Sequence, residues 1–346
     1  MPYTLATRAA TECLLVDGNS EGRMVDEVPM SLSVFLLASI SLHGCTQSGM
    51  QKKVGPAPSF IASTDEHFVA RGRYLAEHVT GCIGCHSTVN EEVYARPVVP
   101  GTEGMGGQTW PLSDGHLGFL TAGNITPFGV GEWTDGELLH AVSAGIHKDG
   151  YAMFPVMPYP TFAKLTESDA KAIVSYLRTL TPLESPPSTR RLSVVLTKVA
   201  NKTAAPPAWS VPPGVNDVLA KGEYLATAAG CVYCHTPDKG NAMDETLLMA
   251  GGRTFKMAMG TSISPNITPA EGHGIGYWGE EDFLNKFKAF RSDSAQNREA
   301  GPSDPNTVMP WFELAGMTDD DLRSIWVFLQ AQTPHDNQVE ETWIVH

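Results

Sequence analysis

Cys82-Ile83-Gly84-Cys85-His86 recurs as Cys231-Val232-Tyr233-Cys234-His235, and these two pentapeptides decide how the rest of the sequence is read. In C-x-x-C-H the two thiols can form thioether bonds to the vinyl groups of a porphyrin, while the adjoining histidine supplies a proximal iron ligand. Two covalently bound haem c groups are therefore the first expectation. Cys82, Cys85, Cys231 and Cys234 are the attachment residues, and His86 and His235 the iron ligands. Two thiols at this spacing also suit a structural zinc site or a thioredoxin-like dithiol. A zinc ribbon needs a second Cys or His pair close by, and the remaining cysteines, Cys13 and Cys45, both stand in the N-terminal leader.

Working outward, the motif context is duplicated as well. Arg71-Gly72-Arg73-Tyr74-Leu75-Ala76 precedes the first motif and Lys221-Gly222-Glu223-Tyr224-Leu225-Ala226 the second. Gly106-Gly107-Gln108-Thr109-Trp110 matches Gly251-Gly252-Arg253-Thr254-Phe255. Asn124-Ile125-Thr126-Pro127 matches Asn266-Ile267-Thr268-Pro269, and Trp133 matches Trp278. Met157-Pro158 then matches Met309-Pro310, and a segment aligned without a gap runs from there to Thr181-Pro182 and Thr333-Pro334. Repetition over a domain length reads as duplication of one haem-binding unit. The expected boundaries are a leader at 1–45, a tether at 46–64, a first domain at 65–183, a Pro- and Ser-rich linker at 184–214, a second domain at 215–335 and a tail at 336–346. Each unit has an ordinary domain size.

Within a unit the pattern is helical with long loops. Apolar residues at Phe68-Val69, Leu75-Ala76 and Val79 carry a helical period toward Cys82, and Val215 to Ala228 does the same toward Cys231. Thr134-x-x-Glu137 predicts a capped helix through about Gly145, with Glu280 to Phe290 as its counterpart. Thr166 and Thr318 stand ahead of acidic first turns that suit the positive end of a helix dipole, and Pro182 and Pro334 end those helices. Leu192 to Val199 is a candidate short helix in the linker. No useful period-2 alternation appears, so an all-α fold is expected.

The sixth iron ligand separates electron carriers from enzymes. Met157 and Met309 are the candidates, because each precedes a proline just before the last helix at matched repeat positions. A thioether is a soft neutral ligand that favours ferrous iron and raises the reduction potential. Methionine is also a common core filler, and His147 rivals Met157 in the first unit. Trp133, Trp278, Tyr74 and Tyr224 suit either a haem edge or plain core, and Arg71 and Lys221 either a propionate or a solvated helix face. The two Asn-Ile-Thr triplets spell a glycosylation sequence, which their matched place in a haem-side loop makes a coincidence.

Together these runs resemble class I cytochrome c domains and, more narrowly, the multihaem cytochrome c subunits of membrane-bound alcohol and gluconate dehydrogenases. The resemblance covers about residues 65–335. It implies tandem, mainly α domains with His/Met haems that pass single electrons in the periplasm between a dehydrogenase donor and a quinone, cytochrome or oxidase acceptor. That family commonly carries three haems, and only two motifs stand here. A dihaem peroxidase is the alternative of a different class; it needs an open axial site and nearby acid-base groups.

Met30 to Leu42 is an apolar run of signal-peptide length, ending in Leu42-His43-Gly44-Cys45, close to a bacterial lipobox. Export to the periplasm is expected, with Cys45 a candidate lipid anchor, although Asp26 and Glu27 stand where a basic segment is usual. The formal net charge of −14 argues against nonspecific nucleic-acid binding and suits a redox partner with a basic docking patch.

Overall fold

The computed structural model describes residues 53–112, 117–240, 242–257, 260–301 and 304–345. The leader, Cys45 and residues 46–52 of the expected tether lie outside the described residues.

Asp65 opens the first repeat by accepting the Phe68 N–H at 2.9 Å, and helix α1 (Glu66–Tyr74) runs on into a π-helical turn at Leu75–Val79. The first pentapeptide forms the short helix α2 (Cys82–Cys85). A hairpin of β1 (Thr109–Leu112) and β2 (Gly118–Thr121) follows, then α3 (Pro127–Val130) and α4 (Asp135–Ala144). Thr134 and Glu137 close the capping box expected at the start of α4. Beyond Met157 come α5 (Tyr159–Phe162) and α6 (Glu167–Leu177), the latter capped by Thr166 through the Asp169 N–H at 3.0 Å.

The linker is more regular than its composition suggests. β3 (Arg190–Leu192) pairs antiparallel with β2, placing Phe119 opposite Arg191, and α7 (Val194–Thr203) starts from a Ser193 cap. The second repeat then retraces the first with α8 (Val218–Ala228) and α9 (Cys231–Cys234). A two-stranded ribbon of β4 (Asp238–Lys239) and β5 (Ala242–Met243) is inserted, followed by the hairpin β6 (Thr254–Met257) and β7 (Gly260–Ile263). Helices α10 (Glu280–Lys288), α11 (Asp293–Gln296), α12 (Trp311–Ala315) and α13 (Asp319–Gln330) complete it, and β8 (Trp343–Val345) adds to β7.

The all-α expectation is therefore corrected. The chain is about 39% helix and 11% strand, a mixed composition with helices in the majority. The strands are two to four residues long, too short for alternation to register in a sequence. Their edges are completed from far away: β3 comes from the linker and β8 from the tail.

Two helix crossings carry the core, α1 on α6 and α8 on α13. Gly72 and Gly222 sit at the crossing points. A Cβ on Gly72 would stand 1.9 Å from the Ala172 carbonyl oxygen, and one on Gly222 1.8 Å from that of Ser324, so only glycine permits the approach. Leu75, Leu139 and Ile173 of the first repeat and Leu225, Leu284 and Leu322 of the second belong to one continuous buried cluster. All described residues fall in one compact unit.

Candidate haem-attachment sites

Each pentapeptide is delivered by the C-terminal end of a long helix, through a glycine with left-handed φ, +64° at Gly81 and +76° at Gly230. The four motif cysteines are free thiols, with no disulfide between them. Cys82, Cys231 and Cys234 are half-buried, whereas Cys85 keeps solvent access on one side. Burial and the neighbouring Cys234 push Cys231 up to about 12. A redox dithiol works through a depressed thiol pKa, the opposite arrangement.

The histidines are held alike. His86 Nδ1 lies 2.7 Å from the Gly123 carbonyl oxygen, and His235 Nδ1 lies 2.8 Å from that of Pro265. A carbonyl only accepts, so the ring proton must sit on Nδ1, which turns the Nε2 lone pair outward as a ligand. Burial lowers the pKa of both histidines, which keeps the imidazoles neutral as ligation requires. The loop ahead of each hairpin ties back in the same way: Gly106 N–H donates to the His86 carbonyl at 2.7 Å, and Gly251 N–H to that of His235 at 2.7 Å. Gln108 and Arg253, matched in the repeat, bond carbonyls of or just after the motif, Gln108 Nε2 to Gly84 at 2.5 Å and Arg253 Nε to Thr236 at 2.9 Å. Among the described residues no group of three or more His, Cys, Asp or Glu side chains is placed to hold a metal ion, so a four-ligand zinc site is not assembled. Paired free thiols beside an oriented imidazole fit a covalently held haem.

Residues 69–181 match the cytochrome c family. This part of the chain is a cytochrome c domain. Over 297 residues the chain is 29% identical to the cytochrome c subunit of a quinone alcohol dehydrogenase from Gluconacetobacter polyoxogenes, an alignment covering 81% of this chain and 59% of that protein. It is 25% identical over 293 residues to the gluconate 2-dehydrogenase cytochrome c subunit of Pantoea cypripedii, covering 79% of this chain and 62% of that one. A diheme cytochrome c-type protein of Cereibacter sphaeroides is 28% identical over 201 residues, covering 55% of this chain and 64% of the relative. The chain thus spans somewhat over half the length of these relatives. Cytochrome subunits of dehydrogenases transfer electrons and are not themselves the catalysts.

In this chain the two candidate methionines occupy equivalent turns. Both are half-buried against the main core, and the Met157 and Met309 carbonyls accept the Tyr159 and Trp311 N–H groups, each at 2.8 Å. His147, the rival to Met157, stacks its ring on Tyr151 at 4.3 Å and meets Trp133 edge-on at 4.5 Å, and its Nδ1 accepts the Asp149 N–H at 3.2 Å. Asn124 and Asn266 each accept from the backbone and hydroxyl of the threonine two residues on, and donate to a carbonyl beyond the last helix, Leu183 or His335. Thr126 and Thr268 are fully buried, so both triplets serve as internal braces of their loops.

A crossed network joining the repeats escaped the sequence reading. Tyr74 of the first repeat donates to Asp321 of the second, and Tyr224 of the second donates to Asp169 of the first at 2.6 Å. Each phenol oxygen also accepts a backbone N–H at 3.2 Å, from Thr318 and Thr166 respectively. Arg71 grips Asp169 with two bonds of 2.9 and 2.8 Å, and Lys221 pairs with Asp321 at 2.5 Å. The two tyrosines are thus spent on an exchange between halves and the two bases on the aspartate of their own half; the matched Tyr and Asp positions are the trace of this in the sequence. The second repeat also reaches the first motif: the carboxyl of half-buried Glu313 on α12 lies against Gly84, where a Cβ would stand 2.3 Å from its Oε1.

Proposed function

We propose that the chain carries two covalently bound haem c groups and shuttles single electrons, one haem on Cys82 and Cys85 and the other on Cys231 and Cys234. The observation that carries this reading is the repeated histidine geometry, with Nδ1 fixed on a backbone carbonyl in both repeats. When bound, haem supplies a one-electron ferric–ferrous couple. The protein's own part is to hold the attachment thiols and to aim His86 and His235. Met157 and Met309, presented by matching Met-Pro turns, would supply the second protein ligand to each iron. The continuous core and the crossed Tyr–Asp network keep the two sites at a constant separation, which suits transfer between them. The kinship with dehydrogenase cytochrome subunits supports a dehydrogenase as donor. A quinone or terminal acceptor in the periplasm, and Cys45 as a lipid anchor, belong to the same proposal and rest on the sequence alone, on the motif resemblance and the lipobox-like Leu42–Cys45 run.

Intact mass after periplasmic maturation tests the reading: two haem increments are expected, and one in Cys82→Ala or Cys231→Ala. A single increment in the parent protein refutes the dihaem claim. Met157→Ala and Met309→Ala should each turn one low-spin haem high-spin and lower its potential. A parent protein that already contains high-spin haem and turns over peroxide refutes the carrier assignment.

A further inference from the structure

The linker helix α7 presents a face that the haem chemistry does not use. Val194, Val195 and Val199 are 73, 63 and 40% exposed, and Lys198 and Lys202 stand exposed beside them. Positions 194, 198 and 202 form one i, i+4 row, with 195 and 199 in the adjoining row, so valines and lysines share one side of the helix. The opposite side is seated: Ala200 and Ala204 are fully buried in a small cluster with Val54. Arg191 is exposed just ahead of the helix. From Ser185 to Asn216 the sequence contains four basic residues and no acidic one, in a chain whose net charge is −14. Apolar β-branched residues edged by long basic side chains on a short surface helix are the composition of an interfacial helix on anionic lipid.

The chain's path favours the same occupant. Lys53 Nζ donates to the carbonyls of Asn201 and Lys202 at 2.6 and 2.8 Å, so the segment arriving from the N-terminus is tied to the end of α7. Eight residue steps separate Cys45 from Lys53, a span of at most about 29 Å when fully extended. If Cys45 carries acyl chains, α7 is held within that distance of the bilayer. No helix among the described residues is long and apolar enough to cross a membrane, so contact with lipid would be made from the surface.

We propose that the exposed face of α7, formed by Val194, Val195, Lys198, Val199 and Lys202, docks on an anionic phospholipid surface and orients the protein there independently of any acyl anchor. The test uses the mature holoprotein carrying Cys45→Ser, with vesicles of phosphatidylcholine alone or mixed with phosphatidylglycerol, and reads protein in the vesicle pellet. Binding to the anionic vesicles is expected to exceed that to the neutral ones by about tenfold or more, and to weaken in high salt. Lys198→Glu with Lys202→Glu should remove the preference for anionic vesicles. Val195→Ser with Val199→Ser should weaken binding to both kinds by about tenfold. All four positions are on the surface, so the variants are expected to keep the parent circular dichroism. Absence of binding to anionic vesicles, or binding unchanged in both variants, overturns the proposal. So does a self-association of the parent protein that the valine variant abolishes, because the face would then cover a second copy. None of these readouts depends on the haem, so this proposal and the electron-carrier reading stand or fall separately.

Discussion

Removing the hydroxyls of Tyr74 and Tyr224 probes whether the two repeats are one cooperative body. Asp321 is 9% exposed at its side chain and accepts from Tyr74 and Lys221; Asp169 is 12% exposed and accepts from Tyr224 and Arg71. A hydrogen bond to a charged acceptor contributes about 1.5–3 kcal/mol. Tyr74→Phe also strips the Thr318 N–H of its acceptor, and Tyr224→Phe does the same to Thr166. Each carboxylate keeps its basic partner, so no bare buried charge results, and each single variant should lose about 1.5–3 kcal/mol. Arg71 interacts with Asp169, Tyr224 and Asp321 together, so the two locks share charges. The double variant should therefore depart from the sum of the singles by about 0.5 kcal/mol or more. Guanidinium titrations of the holoprotein, followed by far-ultraviolet circular dichroism and by haem absorbance, measure this. The parent should show one coincident transition, and the double variant the same transition at lower denaturant. Tyr277→Phe, at a phenol 71% exposed, serves as the control and should change stability by less than about 0.5 kcal/mol. Two separate transitions in the parent, or single variants indistinguishable from the control, would refute the crossed lock.

Gly222→Ala should cost about 3 kcal/mol or more, since the new Cβ stands 1.8 Å from the Ser324 oxygen and 2.8 Å from the Phe328 Cβ and must push α8 away from α13. Gly214→Ala, with its nearest neighbour at 3.7 Å, should be neutral in the same melting experiment. Burial, reinforced by Asp321, pushes the Tyr74 phenol from its ordinary value of 10.0 up to about 12, so the folded state favours the neutral phenol. Its contribution to stability should be full below pH 10 and fade as pH climbs to about 12, a loss diminished in Tyr74→Phe when urea midpoints are compared across that window.

The proposed attachment chemistry is read from the sequence because it depends on local spacing. C-x-x-C-H is contiguous, the helix caps at Thr134, Thr166 and Thr318 are set by one residue and its near neighbours, and duplication marked the equivalent positions. What the sequence alone could not convey was anything made by residues far apart along it. β3 and β8 are too short to show a pattern and become strands only because β2 and β7 offer open edges. The acceptor carbonyls of Gly123 and Pro265 stand 37 and 30 residues from the histidines they orient, and backbone atoms carry no sequence signature. Tyr74 and Asp321 are 247 residues apart. Nothing in either neighbourhood distinguishes a tyrosine that meets a haem edge from one that locks the opposite repeat. Tertiary packing decided it, by burying two carboxylates where only the phenol of the other half and a base of their own could satisfy them.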